Sequence, residues 1–225
     1  MLIKKLGILY IVATPIGNLS DITLRALETL KKVDIIACED TRVTIKLLNH
    51  YNIKKPLISF HQHSRLDRLD SIIDKLTEGK DVALVTDAGT PGISDPGGKL
   101  VQEALNREVE IVSIPGPSAL IALASVAGIN MSKFIFMGFA PHKKGRETFF
   151  REVAESKIPA AYFDSPHRLI KNLEMLAQFS PEKKVVVGRE LTKIFEEIKR
   201  GSVKEMADYY SKKTQIKGEI TVLAH

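Results

Sequence analysis

The residues best suited to hold a ligand are concentrated in short loops that each follow an apolar run. The densest is Asp87-Ala88-Gly89-Thr90-Pro91-Gly92-Ile93-Ser94-Asp95-Pro96-Gly97-Gly98. Glycine lets backbone approach a ligand closely, and proline stiffens a loop in advance. Asp87, at the end of the preceding run, is a carboxylate suited to accept bonds from sugar hydroxyls, while loop amides and carbonyls suit a purine. A second loop, Ala13-Thr14-Pro15-Ile16-Gly17-Asn18, is neither a Gly-x-Gly-x-x-Gly dinucleotide fingerprint nor a P-loop. It equally fits a plain turn into a helix, closed by Asp21 as cap. A third, Pro115-Gly116-Pro117-Ser118-Ala119, opens a helix with Ser118 as its cap. Amides at a helix start attract ligand oxygens, and the same segment fits a rigid hinge. A pocket between domains would use all three loops.

Groups that could move a proton or orient a nucleophile are Glu39 and Asp40, after the run ending in Cys38, and Lys193, which Glu190 could tune. A desolvated lysine becomes a base. Each carboxylate equally fits a helix N-terminal charge or an ion pair. His61 and His63 are further candidates, although a histidine alone is more often an ordinary surface or core residue. Cations suited to phosphate are Arg42, Lys143, Lys144, Arg146, Arg168 and Arg189. Lys143-Lys144-Gly145-Arg146 follows Ala140-Pro141-His142 and reads as an exposed loop; a solvated charge run is its plain alternative. There is no aromatic-rich RNA-binding motif. No His, Cys and carboxylate cluster has metal spacing, so no metal is expected.

The elements that must position these groups follow from apolar patterning. Strand-like runs at Ile8 to Val12, Ile35 to Cys38, Leu57 to Phe60, Val82 to Thr86 and Val109 to Ile114 alternate with helical patterns, among them Leu24, Leu27, Leu30 and Leu69, Ile72, Ile73, Leu76. Continuous apolar strands separated by helices predict a parallel sheet covered on both faces. After Pro115-Gly116-Pro117 a small-residue helix is expected over Ser118 to Ala127. Strands at Phe134 to Phe139, Ala160 to Phe163, Val185 to Gly188 and Ile220 to Leu223 come next, with helices at Leu169 to Phe179 and Val203 to Tyr210. The expected division is an α/β domain over 1–116 and a mixed-sheet α+β domain over 117–225.

The 225 residues are 44% hydrophobic, 6% aromatic and 27% charged, ordinary values for a globular protein. The single cysteine, Cys38, excludes an internal disulfide and a Cys-rich zinc site, and reads as a small buried hydrophobe. Lys4 and Lys5 before Leu6 to Val12 imitate a signal peptide, but that run fits a buried first strand and ends in no cleavage site. No run reaches the roughly 20 apolar residues of a membrane span, and a soluble, cytoplasmic protein is expected. A net charge of +6 and a pI near 9.3 favour acidic partners such as nucleic acid.

Taken together, Thr14-Pro15-Ile16-Gly17-Asn18-Leu19, Cys38-Glu39-Asp40-Thr41-Arg42, the Asp87 loop, Pro115 to Ala119, Ser165-Pro166-His167-Arg168, Arg189-Glu190-Leu191-Thr192-Lys193 and Gly218-Glu219 resemble the tetrapyrrole methylase family, and within it the small-subunit ribosomal RNA methyltransferase I group. The match runs in order through essentially the whole chain. It implies a two-domain fold with S-adenosylmethionine in the cleft between domains, a homodimer, and 2′-O-methylation of a cytidine ribose in the decoding region of 16S rRNA within the small ribosomal subunit. Cofactor contacts carry over to Pro15, Asp87, Ala88, Gly89, Thr90, Ile93, Ser94, Ser118, Ala119, Phe163 and Gly218. Tetrapyrrole methylases carry a Gly-x-Gly-Pro-Gly-Asp type of first loop; its absence here favours the RNA branch. His61-Gln62-His63-Ser64-Arg65 lacks the Asn-Glu ending expected after the histidines, and the C-terminal helical extension of many relatives does not follow Leu223. The alternatives are a methylase of a porphyrinoid, and a nucleotide- or RNA-binding protein on the same scaffold without catalysis.

Overall fold

The computed structural model describes residues 5–61 and 66–225, so His63, with Gln62, Ser64 and Arg65, lies outside the described residues. The chain forms two compact units, one reaching Ser118 and the other running from Ala119 to His225.

In the first unit the strands are β1 (Ile8–Val12), β2 (Ile35–Cys38), β3 (Leu57–Ser59), β4 (Val82–Val85) and β5 (Glu110–Ile114). The helices are α1 (Leu24–Lys32), α2 (Thr41–His50), α3 (Leu66–Thr77) and α4 (Gly97–Asn106). The strands lie in the order β3-β2-β4-β1-β5, every pair parallel. Alternate residues point to opposite faces. Tyr10, Val12, Ile36, Cys38, Ala83 and Val85 pack with Ala26 and Leu30 of α1 and Leu47 and Leu48 of α2. Leu9, Ala37, Val82 and Leu84 pack with Ile72, Ile73 and Leu76 of α3 and Leu100 and Ala104 of α4. Two covered faces explain why these strands read as unbroken apolar runs. Cys38 is fully buried among them.

One cap differs from expectation. The hydroxyl of Thr23, not Asp21, caps α1 by accepting from the Ala26 amide at 3.1 Å. Asp21 instead ends a single 3-10 turn, Leu19–Asp21, capped by Asn18. Thr23 wins because it immediately precedes the first helical residue, where a side-chain oxygen reaches the orphan amides.

The second unit begins with α5 (Ala119–Val126) and continues through β6 (Ile135–Phe139), α6 (Arg146–Glu155), β7 (Ala160–Asp164), α7 (Leu169–Phe179), β8 (Lys184–Arg189), β9 (Glu197–Ser202), α8 (Val203–Ser211) and β10 (Ile220–Ala224). Its sheet order is β6-β7-β10-β8-β9; only β6 and β7 run parallel. One sheet face packs on Phe149, Phe150 and Val153 of α6, Leu169, Leu173 and Leu176 of α7, and Val203, Met206 and Tyr210 of α8. Gly188 leaves the space that Leu123 of α5 occupies, since a Cβ there would lie 2.8 Å from Leu123 Cδ1. Strand β9 escapes the apolar-run criterion because Glu-Ile-Lys-Arg-Gly-Ser is an edge strand with mostly polar, half-buried residues. Arg146 belongs to the first turn of α6 rather than to an exposed loop; Gly145, in the left-handed region at φ 80°, turns the chain into that helix.

Candidate active site

A ligand site in an open parallel sheet forms beyond the carboxyl ends of the strands, where neighbouring connections diverge. Here β1 and β4 are neighbours. The chain leaves β1 for α1, packed on one face of the sheet, and leaves β4 for α4, packed on the opposite face. The loops after these strands are therefore the ones that should frame a crevice, and they are bonded to each other. Thr14 N donates to Gly89 O at 2.9 Å and Gly89 N to Thr14 O at 3.0 Å. Gly89 sits at φ 85°, and an added Cβ would meet Ile16 and the Pro117 carbonyl. The Thr14 hydroxyl donates to Thr86 O at 3.0 Å.

The third loop joins the same constellation within this unit. Thr90 Oγ1 donates to Pro117 O at 3.2 Å, and a Cβ on Gly116 would lie 3.0 Å from that of Ala13. The far end of the Asp87 loop is closed by Asp95, whose carboxylate accepts from Gly92 N at 2.9 Å and Gly97 N at 2.8 Å. Gly97 is needed there, because a Cβ would lie 2.8 Å from Asp95 Oδ1 and 3.0 Å from Leu84 Cδ2. These ties leave Asp87, Ala88, Ile93 and Ser94 exposed, with Ile93 at 59%. Pro15 is buried, and Ser118 is half-buried at the end of this unit. The arrangement fits a nucleoside-bearing ligand: glycine backbone cradled by its own loop, and an exposed carboxylate at the strand end.

Three carboxylates meet where β2 and β4 end side by side. Asp87 Oδ1 accepts from Asp40 N at 3.0 Å, and Glu39 Oε2 accepts from Thr86 Oγ1 at 2.8 Å. Partial desolvation at the strand end pushes the Asp87 carboxyl up; the Asp40 amide opposes this, and the charges of Glu39 and Asp40 add to it. Asp40 is otherwise engaged. It caps α2 through Arg42 N at 2.8 Å and grips the Arg42 guanidinium with both oxygens. The Arg42 side-chain bonds, with its amide, hold the Asp40 pKa down to about 2.

In the second unit, Lys193 lies in the segment between β8 and β9, its Nζ 2.8 Å from Glu190 Oε1 and 2.8 Å from Glu219 Oε2. Partial burial alone would lower its pKa, but the bonds to Glu190 and Glu219 outweigh it and the ammonium is held above its ordinary value. That surrounding opposes the deprotonation a lysine base needs. Gly218 (φ 93°) belongs to the same motif, since a Cβ there would fall 2.2 Å from the Glu190 carboxylate. Arg189 is committed internally: Nη1 donates to Lys217 O, Nη2 to Phe195 O, and Glu197 lies 3.5 Å from Nε. Arg168 donates to Ala140 O at 3.3 Å. With Arg146, it holds positive charge beside the buried Asp164, whose carboxyl burial pushes up despite bonds from Asn172 and Ser165. Lys143 and Lys144 are exposed and make no ion pair among the described residues. Phe163 is half-buried at the end of β7, and Ala119 opens α5.

Sequence reasoning passed over Asp95, Thr86, Glu219 and Glu197. Asp95 was legible as the second carboxylate of the Asp87 loop, set among its glycines and prolines. The other three act through partners distant in the chain. Among the described residues no group of three or more His, Cys, Asp or Glu side chains is arranged to hold a metal ion, and no helix is long and apolar enough to cross a membrane.

A five-stranded parallel sheet followed by a mixed five-stranded sheet is the architecture of this chain, and residues 8–207 match the tetrapyrrole (corrin/porphyrin) methylases. The chain belongs to that family. It is 46% identical over 218 residues to ribosomal RNA small subunit methyltransferase I of Thermotoga maritima, covering 97% of this chain and 98% of that protein. It is 46% identical over 217 residues to the protein of the same name from Mesorhizobium japonicum, covering 95% of this chain and 74% of the relative. Among solved structures, the cobalt precorrin-4 methyltransferase of cobalamin biosynthesis shares the fold, with a TM-score of 0.71 at 23% identity over 96% of this chain and 93% of that one.

Proposed function

We propose that this methyltransferase uses S-adenosylmethionine to methylate the ribose 2′-oxygen of a cytidine in the decoding region of 16S rRNA. The observation that carries the reading is the Thr14–Gly89 bridge, which locks two glycine-bearing loops around the carboxyl edge where a nucleoside would lie. The acceptor class is supported by two relatives, each 46% identical and named for the small-subunit RNA. A homodimer, action in the cytoplasm and recognition of the RNA within the small subunit belong to the same reading.

Residues that would hold the donor in this unit are Asp87, with its unbonded carboxylate oxygen toward the ribose, and the backbone of Ala88, Gly89, Thr90, Ile93 and Ser94, with Pro15 and Ser118 beside them. S-Adenosylmethionine, when bound, supplies a methyl group on a sulfonium, already activated for transfer. The protein must then contribute position, worth about 7–11 kcal/mol when reacting atoms are well aligned. It must also remove a proton from a weakly nucleophilic hydroxyl, worth about 10²–10⁴-fold. Glu39 takes that proton role. Asp40 is neutralised by Arg42, Lys193 is held as an ammonium, and Glu39 alone of the three keeps an oxygen without a hydrogen bond, its other oxygen being oriented by Thr86. Lys193 instead serves as a fixed positive charge.

Transfer of labelled methyl groups from S-adenosylmethionine to small ribosomal subunits, with the product mapped for ribose methylation, tests the reading. A single modified cytidine ribose is expected. Labelling of a porphyrinoid acceptor and not of RNA would overturn it.

A further inference from the structure

The sequence holds no aromatic RNA-binding motif, yet the fold assembles a small aromatic platform at the exit of β6 and β7. Phe136 pairs with Ala161, and Phe139 with Phe163, so β6 advances three residues while β7 advances two. In a regular strand, side chains three apart face opposite ways. The extra residue, with Gly138 at φ 69°, cancels that half-turn and puts Phe136, Phe139 and Phe163 on one face. Bulges of this kind re-aim a side chain and are enriched beside active sites. The Phe163 ring lies 5.1 Å from each of the other two rings, at interplanar angles of 68° to Phe136 and 56° to Phe139. Phe136 and Phe163 are half-buried, but Phe139 is 60% exposed. A large ring turned outward by a dedicated bulge, and braced from behind by a second ring, has no core to serve.

The neighbouring cations indicate its use. Lys143 and Lys144, exposed and without ion pairs among the described residues, come four and five residues after Phe139. Four residues span at most about 14 Å. A ring and free ammonium groups at that spacing match a base and its backbone phosphates. Unpaired bases stack on aromatic faces while cations track the backbone. We propose that Phe139 stacks on an unpaired base of the substrate RNA, while Lys143 and Lys144 hold the flanking phosphates. The inference rests on the ribosomal RNA reading above and names the part of the second unit that grips the strand.

The chain has no tryptophan, so Phe139→Trp installs a single fluorescent ring at the site. A single-stranded oligocytidylate should quench it saturably, and a duplex RNA of equal length should not. Phe139→Ala should weaken binding of the oligocytidylate about 5- to 150-fold, with S-adenosylmethionine affinity unchanged by calorimetry and an unaltered circular dichroism spectrum. Three results would overturn the proposal: no quenching at concentrations where the wild type methylates small subunits; loss of S-adenosylmethionine affinity rather than RNA affinity in Phe139→Ala, which assigns the ring to the donor; and a tryptophan signal that changes with protein concentration alone, which assigns it to a second copy. If the oligocytidylate quenches Phe139→Trp while the wild type labels no subunits, the platform stands and the catalytic reading falls.

Discussion

The carboxyl edge of the first sheet and the segment between β8 and β9 are both dense in special residues, but they are held together by opposite means. At the first, every tie has backbone on at least one side: Thr14 and Gly89 bond through backbone alone, the Thr90 hydroxyl donates to the Pro117 carbonyl, and the Gly92 and Gly97 amides donate to the Asp95 carboxylate. The side chains of Asp87 and Glu39 each keep an oxygen free of hydrogen bonds. At the second, side chains do the tying. Lys193 is spent on Glu190 and Glu219, and Arg189 and Lys213 are both spent on Glu197. The bonds to Lys213 and Tyr209 outweigh the cost of burying Glu197 and hold its pKa down to about 2. A region that satisfies itself through backbone has side-chain chemistry left for a ligand. One that satisfies itself through ion pairs has mainly shape and a fixed charge to offer.

That contrast is broken most directly at Glu39. Glu39→Gln keeps an acceptor for Thr86 Oγ1 but removes the base. Turnover of small-subunit methylation should fall about 10²-fold or more, with S-adenosylmethionine affinity retained; unchanged turnover would exclude Glu39 as the base. Asp87→Ala tests the other free carboxylate. Loss of hydrogen bonding to a charged group is worth about 1.5–3 kcal/mol, so calorimetry should show S-adenosylmethionine binding about 10- to 150-fold weaker, and an unaltered affinity would refute the role.

In the second unit the expected effects fall on stability instead. A carboxylate whose native pKa lies near 2, below its ordinary 4.5, binds a proton more readily unfolded than folded. Glu197 therefore contributes stability that is fully present above about pH 4.5 and drains away as pH falls toward 2. Thermal melts of the wild type and Glu197→Gln should differ most at neutral pH and converge toward pH 2; a difference independent of pH would show that packing, not charge, matters there. The smallest effect belongs to the solvated lysines. Lys143→Glu with Lys144→Glu should weaken RNA binding and flatten its salt dependence, by about 0.7 in slope for each phosphate that is no longer neutralised, leaving donor affinity alone. An unchanged salt slope would reduce the pair to ordinary surface.

The sheet of the first unit was legible because both of its faces are covered, which leaves unbroken runs such as Ile8–Val12 and Val82–Val85. Strand β9 was not, because an edge strand buries little and its Lys, Arg and Glu side chains carry no apolar period. The Asp87 loop stands out as a candidate site from its glycines and prolines alone. The standing of the cations was not: Arg189 and Lys144 look alike in a sequence, yet one is enclosed by Glu197 and two carbonyls and the other is free among the described residues.

What the sequence determined by itself is therefore local: which segments are strands buried on both sides, where glycine and proline shape a loop, and which residues could carry a charge or a proton. Tertiary structure alone decided which of those groups remain available. The Lys193 ammonium is held between two carboxylates because Glu219, 26 residues away, closes on it beside Glu190. Phe139 became an outward ring because a bulge measured against β7 turned it. Both outcomes depend on partners brought together by folding, and the energy of a charge or a ring is set by what surrounds it.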